Sequence, residues 1–146
     1  MTTTTLSTLL LLGGVCHFGI LLASALVPRV LDWRAELKQL NPLSRHLIWT
    51  HGAFIVLTII AFGAISVFNA ADLAAGTKLA RWVCGFIAAF WLARLAIQLF
   101  LFDARPFLTT PLLKLGYHGL TVVFTYLGVV YACAAVLPRA APGGGL

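Results

Sequence analysis

Residues 47–68 read LIWTHGAFIVLTIIAFGAISVF, a run whose one ionisable side chain is His51. At about 1.5 Å per residue, a helix of this run is roughly 33 Å long, enough to cross the hydrocarbon core of a bilayer. Runs of similar length and character occupy 6–27, 82–102 and 117–137. Hydrocarbon offers the backbone no hydrogen-bonding partner, so uninterrupted apolar runs of this kind read as helices. Composition agrees: 61% apolar residues, 10% charged residues and a mean hydropathy of +1.00 leave no sequence for a soluble domain. The expected fold is all-α, an integral membrane four-helix bundle over 1–138. Its spans lie at about 6–27, 45–68, 82–102 and 114–137, with a flexible tail at 139–146.

The connections add detail. Val30, Trp33, Leu37 and Leu40 recur at helical spacing after Pro28, with charged residues between them, which predicts a short amphipathic interfacial helix after the first span. Asn41 and Pro42, and again Thr110 and Pro111, pair a capping residue with a proline suited to the first helical position. Asn69 to Ala80 reads as a weakly polar loop. Ala23, Ser24 and Ala25 resemble a signal-cleavage site, but no basic residue precedes the run, so the first helix is read as retained.

Basic residues predict orientation. Arg29, Arg34, Lys38 and Arg45 flank the first connection, and Arg105 and Lys114 the third; Lys78, Arg81 and Arg139 belong to the opposite side. The positive-inside rule then places the first and third connections in the cytoplasm and both termini outside, in a cell inner membrane. The net charge of +6 fits topology and contact with the lipid bilayer. No basic groove with stacking aromatics points to nucleic acid.

Two stretches resemble each other in order. Leu31, Asp32 and Arg34 parallel Phe102, Asp103 and Arg105; Asn41-Pro42 parallels Thr110-Pro111; His51-Gly52 with Thr58 parallels His118-Gly119 with Thr125. This suggests two duplicated helical hairpins. His51 and His118 then sit at similar depth on parallel helices and are candidate ligands to a haem iron, with Gly52 and Gly119 allowing a macrocycle to approach.

Arg94 lies within a span, with Trp91 and Gln98 on the same side of the helix. No acid lies within any span to neutralise it. Its expected partners are Asp103 reached by snorkelling, backbone carbonyls, or a bound anion; packing on Trp91 is the structural alternative. His17 is deeper, a candidate alternative ligand, a proton-path step with Thr58 and Thr125, or a helix-packing group. Trp49, Trp82 and Tyr117 read as interfacial anchors. Gly19 with Ala23, and Gly85 with Ala89 and Ala93, read as helix-packing positions. The three cysteines match no metal or haem-attachment spacing.

No carboxylate pair, nucleophile–base arrangement or phosphate-cradling loop is present, so no catalytic motif names a reaction. A four-span bundle with paired histidines resembles, in architecture alone, a b-type cytochrome or a respiratory membrane-anchor subunit. Three functions follow as expectations. The first is an accessory or subunit-type membrane protein with a polar intrabundle site, docking a partner membrane subunit or a second copy. The second is a haem b or quinone-binding electron-transfer subunit, using His51, His118, Arg94, His17, Gln98 and Trp91. The third is a small anion or proton transporter component.

Overall fold

The structure, a computed structural model, describes residues 2–30, 32–101 and 109–137, without the side chains at 27, 29, 30, 33, 34 and 36. The expected tail, Asp103 as a partner for Arg94, the repeat's second copy around 102–105 and the Trp33 side chain lie outside the described residues.

The chain forms α1 (Thr3–Val30), α2 (Trp33–Lys38), α3 (Pro42–Phe68), α4 (Ala70–Ala75), α5 (Lys78–Ala96), a π-helical continuation at Ile97–Leu101, and α6 (Pro111–Val136). No strand occurs among the described residues, and the architecture is an all-α four-helix bundle. Four of its helices, Thr3–Leu26, Pro42–Phe68, Lys78–Leu101 and Pro111–Val136, are long and apolar enough to cross a membrane. Large apolar side chains are widely exposed on their outer faces, among them Phe54, Phe86, Leu112 and Val122.

Local chemistry sets the boundaries. Asn41 Oδ1 accepts from the Ser44 amide at 2.8 Å, and Thr110 Oγ1 from the Leu113 amide at 3.3 Å, so both helices begin at their prolines. Asp32 adopts φ 43° between α1 and α2, a left-handed turn that aspartate tolerates better than most residues. The short α2 follows, with Leu37 buried.

The loop expected at Asn69 to Ala80 is instead partly helical. Leu73 and Ala74 of α4 are buried against the bundle end, α4 packs on α1 and α5, and Gly76 closes it at φ 72°. With one leucine among alanines, this segment has too little apolar periodicity to announce a helix. Beside it, the Arg81 guanidinium donates from Nη2 to the carbonyls of Val136 (3.2 Å) and Leu137 (2.8 Å), satisfying the end of α6.

The most extensive pairings are α1 with α3 and α5 with α6, two sequential hairpins; α1 also packs on α6. The core is concentrated in the half of the bundle nearer α4. Among the described residues, buried positions of α1 end at Ile20 and those of α3 begin at Ile59. The core-facing stripe of α3 is Ile59, Phe62, Gly63 and Ser66. Continued back along the helix at 3.6 residues per turn, it runs through Ile55, Gly52 and Ile48. Ile55 and Ile48 are exposed, and a Cβ on Gly52 would meet nothing within 4 Å. At the end bearing the first and third connections, nothing among the described residues covers this face of α3.

Candidate functional site

His17 is fully buried where all four long helices meet. Its ring lies edge-on to Phe62 of α3 (6.1 Å between centroids), Trp91 of α5 (5.4 Å) and Tyr131 of α6 (5.9 Å). Both ring nitrogens are engaged. The Trp91 indole, which can only donate, gives Nε1–H to Nε2 at 2.9 Å, and Nδ1 lies 2.6 Å from the Gly13 carbonyl, which can only accept. Together these partners fix the neutral Nδ1–H tautomer and leave no nitrogen for iron. In a buried site each unmade bond costs about 1–3 kcal/mol, so the pairing is what makes a histidine tolerable there.

Small residues let the helices come close enough for this layer. A Cβ on Gly14 would sit 2.7 Å from Val67 Cγ2 and 3.0 Å from the Val67 amide nitrogen; one on Gly63 would sit 3.1 Å from the Phe18 ring. One on Gly13 would meet the Tyr131 ring at 3.2 Å. Next to His17, the Tyr131 hydroxyl donates to Ser66 Oγ, both side chains fully buried. Tyr126 donates to the Leu9 carbonyl at 2.8 Å, which links α6 to α1 as Tyr131 links it to α3. Sequence reasoning missed Tyr131, Ser66 and Gly14. Their signal was the recurrence of glycine and serine at 13, 14, 63 and 66, the small-residue pattern that admits close helix contact.

A second polar group occupies the opposite end of α5. Gln98, buried within the π segment, donates from Nε2 to Thr121 Oγ1 at 2.7 Å, and its carbonyl accepts from the Tyr117 hydroxyl at 3.2 Å. A π turn disturbs the regular backbone ladder, and Tyr117 supplies a donor at that point. Tyr117 is therefore a clasp between α5 and α6 rather than a simple interfacial anchor.

The remaining candidates lie elsewhere. His51, His118 and Arg94 are all exposed. His51 Nδ1 bonds back to the Leu47 carbonyl at 2.8 Å, and the Arg94 guanidinium carbon lies 5.9 Å from the centre of the Phe124 ring. Phe124 stacks in turn on Trp91, 4.9 Å away. Trp91 and Gln98 line the inner face of α5, with Arg94 about 60° round the helix from Trp91. His51 and His118 stand on α3 and α6, and α1 packs against both of these helices. A Cβ on Gly52 or Gly119 would meet nothing within 4 Å. On α6, Thr121 and Gly128 turn inward, and His118 and Thr125 outward. Thr58 and Thr125 each bond the carbonyl four residues back, at 2.8 Å. Of the packing glycines expected from spacing, a Cβ on Gly19 would meet nothing within 4 Å, and one on Gly85 would meet Ala135 at an ordinary 3.8 Å.

Among the described residues, no three His, Cys, Asp or Glu side chains converge as a metal site and no disulfide joins the cysteines. Comparison with protein-family models, curated proteins and solved structures finds no match to this chain.

Proposed function

We propose that this chain is an accessory or subunit-type membrane protein whose inward polar residues hold the bundle together and whose exposed polar residues meet another polypeptide. The observation that carries the reading is the uncovered α3 face at Ile48, Gly52 and Ile55, flanked by His51. A helix placed there would continue the core that Ile59 and Phe62 begin. Arg94 belongs to the same half of the bundle, and the described spans hold no acidic residue. Ionisable side chains within spans normally face protein or water, and an arginine calls for an anion. The partner's chemistry is therefore a membrane-spanning helix bearing a carboxylate, from a second kind of subunit. With the basic first and third connections inside, both termini lie outside a cell inner membrane.

In mild detergent the protein should sediment with a second component, well above its own 15.7 kDa. Arg94→Leu should release that component, whereas Arg94→Lys should retain it in part. Wild-type protein recovered from native membranes as a 15.7 kDa monomer would overturn the reading.

A b-type haem subunit is a second reading, favoured by one feature of His51. Because Leu47 can only accept, Nδ1 carries the proton and Nε2 presents an exposed lone pair, the arrangement of a metal-ligating imidazole. His118 on α6, of the same chain or of a second copy, would supply the other axial ligand. The absorption spectrum of the protein as isolated decides this reading: a bis-imidazole haem band supports it, and its absence after reconstitution with haem removes it.

A further inference from the structure

We infer that the α4 end of the bundle carries a site for a phosphate-bearing anion, in the cleft between Lys78, Arg81 and Trp82. The cleft encloses about 530 Å³ and is lined by Gly76, Lys78, Arg81, Trp82, Gly85 and Ala135. Two of these are cations one turn apart on α5, and none is acidic. Glycine on either side keeps the space open: Gly76 turns the chain at φ 72°, and a Cβ on Gly85 would reach only Ala135, at 3.8 Å.

Arg81 is held rigidly for this purpose. Its Nη2 is committed to the Val136 and Leu137 carbonyls, while the buried Nε finds no partner among the described residues. A guanidinium has five N–H donors; the two carbonyls take those of Nη2 and Nε is buried, so the donors left for an oxyanion are those of Nη1. Two carbonyls fix its plane against the cleft wall, lowering the entropy lost when it meets an oxyanion. Lys78 is exposed at the first position of α5, where the helix dipole adds to its charge. Trp82 is 72% exposed beside them, suited to lie among headgroups and glycerol. The shared ligand chemistry is a phosphate monoester or diester; its two sources are an anionic phospholipid headgroup and a dissolved phosphate.

The test uses the full chain in vesicles of phosphatidylcholine with or without one-fifth phosphatidylglycerol, followed by native mass spectrometry of retained lipid. A second arm titrates inorganic phosphate into the delipidated protein. Retention of phosphatidylglycerol over phosphatidylcholine, reduced about fivefold in Lys78→Gln, supports a headgroup site, from roughly 1 kcal/mol per basic residue near an anionic surface. Phosphate binding that Lys78→Gln weakens, with no lipid preference, supports the same site filled from solution. Lys78 makes no bond that the bundle needs, so this variant should fold; Arg81→Lys, which keeps the charge and loses the fork, should be weakened as well. Equal lipid retention by wild type and Lys78→Gln, with no phosphate binding, would overturn the inference.

Discussion

Gly14 and Gly119 differ more in consequence than in appearance. Both lie in apolar spans, yet a Cβ on Gly14 collides with Val67 and one on Gly119 meets open space. Gly14→Ala should therefore lower thermal stability in detergent by about 1–3 kcal/mol, since backbone as well as side chain has to move. Gly119→Ala should leave it unchanged or raise it by up to about 1 kcal/mol, through helix propensity alone. Trp91 offers a sharper probe. Trp91→Phe leaves His17 Nε2 buried without a donor and should cost about 1–3 kcal/mol besides lost packing. In the double variant His17→Leu/Trp91→Phe neither group is left unpaired, so the combined loss should fall short of the sum by about 0.5–3 kcal/mol in a double-mutant cycle. Strict additivity would mean that the two rings do not depend on each other.

At the scale of the element, the π segment Ile97–Leu101 is the least regular part of the spans, and the Tyr117 hydroxyl secures it. Tyr117→Phe should accelerate amide hydrogen exchange across 97–101 while leaving 84–91 protected. Uniform exchange along α5 would instead mean that the segment holds itself. The helices themselves were legible in the sequence: four long apolar runs, and caps at Asn41 and Thr110 that mark where α3 and α6 begin. The facing of their side chains was not. A helix apolar on all sides has no polar face to show which side meets protein, so residue spacing could not separate buried His17 from exposed His51 and His118. Arg94, Trp91 and Gln98 show the same limit. They share a broad face by spacing, but about 60° of rotation puts Arg94 on the flank. The α4 turn escaped notice for another reason: its burial comes from where α1 and α5 end, not from its own pattern.

At the scale of the molecule, the site residues divide into a buried set, bonded within the chain, and an exposed set, His51, His118 and Arg94, on the side of the first and third connections. The buried set has its bonds made within the chain: His17, Trp91, Ser66 and Tyr131 join all four long helices, and Gln98 joins Thr121. The exposed set accompanies a half-built core, where the α3 stripe continues past Ile59 with nothing against it among the described residues. That asymmetry is what an accessory subunit would carry, and a photo-reactive side chain placed at Gly52 in native membranes tests it most directly. The account predicts a covalent adduct with a membrane-spanning segment of a second polypeptide, one containing Asp or Glu, and no such adduct from the same probe at the lipid-facing Val122. Adducts with lipid alone at both positions would contradict it.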